Sequence, residues 1–83
     1  MQLPLTPLPP FPAGTHAKSR ELMWMLAQAL EVARTEQELE PLYTYAGWLP
    51  QAQGAWIFQA TSVLMANRIN AYAMMQLQQM GVQ

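Results

Sequence analysis

AWIFQATSVLMANRINAYAMMQLQQM, residues 55–80, is the stretch whose reading decides the fold. It reads as one long helix, yet it has no clean wet side. At 100° per residue, Phe58, Met65, Ile69 and Tyr72 form one apolar stripe. Ile57, Leu64, Ala71 and Met75 form a second, and Trp56, Val63, Met74 and Leu77 take a third direction. The polar residues are small neutral islands apart from Arg68. A helix that is apolar nearly all round is normally buried on most sides. In a chain of 83 residues, two shorter helices can cover one or two of those sides but not all. The spare surface is therefore expected to belong to another copy of the chain or to a different protein. Met65, Met74, Met75 and Met80 fit that expectation, because methionine adapts its shape to a partner. The NRIN tetrad (Asn67, Arg68, Ile69, Asn70) sets polar groups midway along this helix. It is either the helix's solvent side or a device that fixes register at an interface.

Upstream, TEQELEPLYTYAGWLP, residues 35–50, offers Thr35 and Glu38 at capping-box spacing. Leu42, Tyr45, Ala46 and Leu49 then form an apolar face. Pro41 sits too deep for a first turn counted from Thr35, so either the helix kinks there or Pro41 opens it. The break LPQAQG, residues 49–54, is expected to return the chain as an antiparallel hairpin. A further helix is expected over residues 17–34. Its face is Leu22, Leu26, Ala29, Leu30 and Ala33, widened by Met23 and Met25. Trp24 falls on the opposite side beside Arg20, Ala27, Gln28 and Glu31. There it is either an interface anchor or a residue covered by another element, and Arg20 is spaced for a cation–π contact with it. Residues 1–14 form an arm. Pro4, Pro7, Pro9, Pro10 and Pro12 favour extended polyproline II, and Gly14 is a hinge. Pro4-x-x-Pro7 and Pro7-x-x-Pro10 match ligands of aromatic grooves in form, but the nearest bases, Lys18 and Arg20, lie well beyond the run. The simpler reading has Leu3, Leu5, Leu8 and Phe11 packing on the chain's own helices.

Composition bounds the function. Charged residues make up 11% of the chain and the net charge is −1, which gives no concentrated basic face for nucleic acid. With 0 cysteines there is no disulfide brace and no thiolate for metal or nucleophilic attack. His16 is the one histidine and aspartate is absent, so no triad or dyad of standard type assembles and no cofactor or metal is expected. Glu36, Glu38 and Glu40 are adequately explained by a helix start, where negative charge suits the dipole. THAKSR, residues 15–20, is a small solvated basic cluster, and the glycines form no phosphate-binding loop. The start of the chain lacks a signal-peptide pattern. Residues 55–75 are long enough to span a membrane, but Gln59, Asn67, Arg68 and Asn70 fall inside that window. A soluble, cytoplasmic protein is the expectation.

The tail NRINAYAMMQLQQMGVQ, residues 67–83, resembles the C-terminal helices of flagellar and type III secretion rod proteins. The likeness rests on an asparagine–base pair, an Ala-Tyr and scattered methionines, without that family's spacing, and it implies an assembly role. Taken together, the sequence predicts an all-α protein. The form expected is a three-helix bundle or helical hairpin with a long C-terminal helix, one domain over residues 15–83, after an extended proline-rich arm. Function is expected to be protein–protein interaction by an assembly subunit, adaptor or inhibitor, not enzymatic. The contacts are to a protein partner or a homo-oligomer through Trp24, Trp56, Phe58, Met65, Arg68, Ile69, Tyr72 and Met75. A membrane-surface protein and a secretion-apparatus or virion structural subunit are the alternatives. The first of these lacks the lysine-rich polar face that such helices usually carry.

Overall fold

The computed structural model describes residues 5–81. It is all-helical, with α1 at Ala17–Val32, α2 at Glu36–Gly47 and α3 at Gln51–Gly81. Leu3 and Pro4 of the arm lie outside the described residues. Residues 5–16 carry no helix or strand.

Each helix start has a local cause. The hydroxyl of Thr15 donates to the Pro12 carbonyl at 2.6 Å, and the Thr15 amide closes on the same oxygen at 3.2 Å. Gly14, at φ 80°, supplies the left-handed residue that this turn requires. His16 then caps α1, its Nδ1 accepting the Lys18 amide at 3.2 Å. At the other end α1 stops at Val32 rather than Arg34. The Arg34 amide is taken by Glu38 Oε2 at 2.8 Å, while Thr35 Oγ1 accepts the Glu38 amide at 3.2 Å. This capping pair starts α2 and so ends α1. Pro41 lies inside α2, which runs unbroken through it. Its missing N–H leaves the Gln37 carbonyl without a helical donor, and Gln37 is exposed, so the lost bond is not sealed in the core. The break before α3 is shorter than expected, because the Pro50 carbonyl already accepts the Gln53 and Gly54 amides. Proline suits that position, since its φ is preset and the helix start needs no donor from it.

α1 and α3 run parallel. Thr61 Oγ1 reaches the Ala27 carbonyl at 3.4 Å, and further along both helices Arg68 meets Glu31. α2 returns antiparallel between them, with Tyr43 stacked on Phe58 at 5.7 Å and Gly54 close to Ala46. A Cβ on Gly54 would sit 3.3 Å from the Ala46 carbonyl oxygen, so its lack of a side chain sets how closely α2 and α3 approach. The core comprises Met23, Leu26, Ala27 and Leu30 of α1, Ala46 of α2, and Trp56, Ile57 and Ala60 of α3. Ala27, placed by the sequence on an outer side with Trp24, is fully buried, whereas Met25 is exposed. α1 therefore packs on two sides, and Trp24 lies half-buried against the core instead of standing open as an anchor.

The arm completes the core. Phe11 stacks on Trp56 with ring centroids 4.4 Å apart and planes 18° apart. The Trp56 indole N–H donates to the Pro9 carbonyl at 2.8 Å. Arg20 lies over Phe11 at 5.6 Å, so its cation–π partner is the arm and not Trp24. Trp56 is only 3% exposed. It was expected at a partner surface, but it is a core residue, because the chain's own arm covers the side that helices leave open. Phe11→Ala is expected to lower stability by about 2 kcal/mol, less than the ~3–5 kcal/mol of a fully buried aromatic. It should also make the segment before Gly14 cleavable by protease at low dose. Gly54→Leu should cost about 1–3 kcal/mol by overpacking the α2–α3 contact, measured by urea denaturation. Unchanged midpoints for both variants would contradict this packing scheme.

Candidate functional site

All buried residues of α3 lie in its first third: Gly54, Trp56, Ile57 and Ala60. From residue 61 to residue 81 none is buried. The reason is length. α3 has 31 residues and α1 has 16, which at 1.5 Å per residue is about 46 Å against about 24 Å. The parallel register aligns Glu31, near the end of α1, with Arg68, so α3 continues past α1 with no helix beside it. The molecule is correspondingly elongated, at 51 × 31 × 16 Å with a radius of gyration of 15.5 Å, against about 12 Å for a compact chain of this size.

Of the residues expected to face a partner, the structure brings Phe58, Met65, Ile69 and Tyr72 onto one open stripe, between 44% and 64% exposed. Met80 continues the stripe, and Met75 and Leu77 are also exposed, on the adjoining faces of the same overhang. Arg68 flanks the stripe. Trp24 and Trp56 are not part of it, as described above. The stripe begins in a groove of about 340 Å³ bounded by Leu30 and Ala33 of α1, Leu39 and Tyr43 of α2, and Phe58 and Met65 of α3. A second recess, between Arg34, Arg68, Ile69 and Tyr72, continues it toward the overhang. The α2 residues are additions to the sequence expectation. Leu39 and Tyr43 stand four residues apart and roughly a quarter turn round the helix from the Leu42–Ala46–Leu49 face. That spacing is the signal that could have found them. Tyr45, expected on the covered face of α2, is 41% exposed and leans on the exposed Trp48 at 5.9 Å.

The NRIN tetrad is used within the chain. Asn67 Oδ1 accepts the Thr6 amide at 2.8 Å and its Nδ2 donates to the Thr6 carbonyl at 2.9 Å, a two-bond clasp on the arm. Arg68 Nε lies 2.9 Å from Glu31 Oε1. That oxygen is sealed from solvent and has no aligned hydrogen bond, so the pair is a charge contact. The Glu31 side chain is 11% exposed and that of Arg68 is 56% exposed; the carboxylate therefore depends on the arginine more than the reverse.

The remaining polar candidates have structural employment. His16 caps α1, and Glu36 and Glu38 occupy the first turn of α2. Among the described residues no three histidine, aspartate or glutamate side chains gather as a metal-holding group. No helix among them is long and apolar enough to cross a membrane. No protein-family model, no curated protein and no solved structure matches this chain.

Arg68→Met, by leaving Glu31 half-sealed and unpaired, is expected to cost about 1–2 kcal/mol, and Glu31→Gln in the same background should recover part of it. A double-mutant cycle by denaturant titration measures this coupling. A coupling energy of zero would show the pair to be a solvated surface contact.

Proposed function

We propose that this protein is a non-enzymatic helical binding module, an assembly subunit, adaptor or inhibitor, whose working surface is the outer stripe of α3 and the groove beneath it. The single observation that supports this most is the division of α3. One third of the helix is built into a core, the next turns run beside α1 as far as Arg68, and the remainder presents large apolar side chains with no helix opposite them. Large contiguous exposed apolar patches are rare on monomers and characteristically mark interaction surfaces. Aromatic and methionine side chains, here Phe58, Tyr72, Tyr43, Met65 and Met80, are enriched in interface cores, while charge is depleted there.

The arm has a supporting role in this reading. Residues 5–16 act as a strap, held by Asn67 at one point and by Trp56 at another, that covers a different side of α3 from the stripe. The backbone of Thr6 and Pro9 is thereby engaged by the chain itself. Partner recognition runs in the helix-in-groove manner, with anchors spaced three and four residues apart.

The test uses tagged protein as bait in host lysate. Met65→Glu and Ile69→Glu, each on an exposed position, should abolish specific capture while leaving the helical circular dichroism of the parent. Each buries a charge in the bound state, which costs well over tenfold in affinity. Capture that survives both substitutions would refute the assignment of the surface. Co-sedimentation with neutral and anionic vesicles tests the membrane-surface alternative on the same variants.

A further inference from the structure

The groove and the overhang are chemically alike and belong to one molecule. None of the groove's lining residues is charged. Residues 69–83 contain no Asp, Glu, Lys or Arg. An occupant carrying charge would have to bury it unpaired in the groove; the chain's own tail would not. From the structure we infer that the occupant is a second copy of this chain. The two α3 helices pair antiparallel about a two-fold axis near Ala71, so that the tail of each lies in the groove of the other as a fourth helix. This inference rests on the reading of the surface proposed above.

The register follows from lengths already fixed. Met80 lies nine residues after Ala71 and Ser62 nine residues before it, about 14 Å in either direction. A two-fold at Ala71 therefore sets Met80 of one copy against Ser62 of the other, at the groove. Ile69 and Tyr72 meet their counterparts near the axis. Phe58, Met65, Ile69, Tyr72, Gln76 and Met80 fall within 60° of one line along α3 when stepped at 100° per residue, so one face serves the whole contact. An antiparallel arrangement is isologous and closes at two copies, as the commonest assemblies do.

The area is sufficient. Phe58, Met65, Ile69, Tyr72 and Met80, with Tyr43 in the groove wall, are each 44% to 69% exposed. At roughly 150–250 Å² for a large side chain, each has about 100 Å² to bury. Six of them, with the intervening helix surface, approach the ~800 Å² per partner of a standard stable interface. Each Arg68 is already matched by its own Glu31 and the strip that it faces is neutral; the other charge beside the contact is Arg34, at the recess with Ile69 and Tyr72. The parallel alternative sets each tail beside the other tail and leaves both grooves empty.

The chain lacks cysteine, which makes the register directly measurable. Ser62→Cys and Met80→Cys variants, both at exposed positions, are purified separately, mixed and air-oxidised. The mixture should form a disulfide-linked dimer at least about tenfold faster than Ser62→Cys alone. A mixture of Ser62→Cys with Gln78→Cys, whose side chain stands on the opposite side of α3, should not. Light scattering of the parent should give twice 9.4 kDa at tens of micromolar, and Met80→Glu should return it to monomer with its helical signal intact. A parent that stays monomeric at several hundred micromolar would overturn the self-pairing. The capture experiment with Met65→Glu and Ile69→Glu would still decide whether the same surface serves another protein. A dimer that cross-links Ser62→Cys to itself, or Ser62→Cys to Gln78→Cys, would overturn the antiparallel register.

Discussion

Everything in this molecule depends on how Trp56 is closed over. Three helices of 16, 12 and 31 residues do not by themselves seal a core around an indole. The seal comes from Phe11 stacked on the ring and from the Pro9 carbonyl taking the indole N–H. A buried indole N–H with no acceptor would cost about 1–3 kcal/mol, a large share of the ~3–5 kcal/mol that the core of so small a domain supplies. A proline-rich arm is well suited to the task. Its backbone is already extended and loses less conformational freedom on docking. Its carbonyls are not engaged in secondary structure and can accept.

That closure also determines which part of α3 remains outside. The arm, α1 and α2 all converge on residues 54–60, where glycine and alanine (Gly54, Ala60) and a buried alanine on each facing helix (Ala27, Ala46) permit close packing. Beyond that point the contacts become sparse: Leu64 against the edge of the core, a threonine hydroxyl to α1, an asparagine clasp to the arm and an ion pair. α3 thus changes character along its length, from core helix to presented helix.

Much of this was legible in the sequence, and the failures share a cause. The all-helical class, the capping pair at Thr35 and Glu38, the antiparallel return to α3 and the stripe of Phe58, Met65, Ile69 and Tyr72 all follow from local spacing, and the structure shows them. Trp24 and Trp56 were assigned to a surface because helical periodicity says only which residues share a side, not which sides have neighbours. What buries Trp56 is a segment more than 40 positions away in sequence, with no periodic pattern of its own. The same limit applies to Asn67, whose side chain reads as an island on a helical wheel and serves in fact as a bidentate receptor for backbone. Leu39 and Tyr43 were missed for a smaller reason, namely that α2 has two apolar edges and the stronger one concealed the other.

The asparagine clasp has a consequence for the order of events in folding. Thr6 and Asn67 are separated by 61 positions, and Pro9 and Trp56 by 47. During synthesis the arm emerges before its receptors, both of which lie in α3. α1 and α2 can form as isolated turns while they wait, but the loop that joins arm to receptor cannot close until α3 has left the ribosome. Loops of that span close at an entropic cost that grows only slowly with length; the delay is therefore set by availability of the receptor. Until then Phe11 and the apolar faces of α1 and α2 are uncovered. These apolar faces of the nascent chain have no internal partner until α3 is available to cover them.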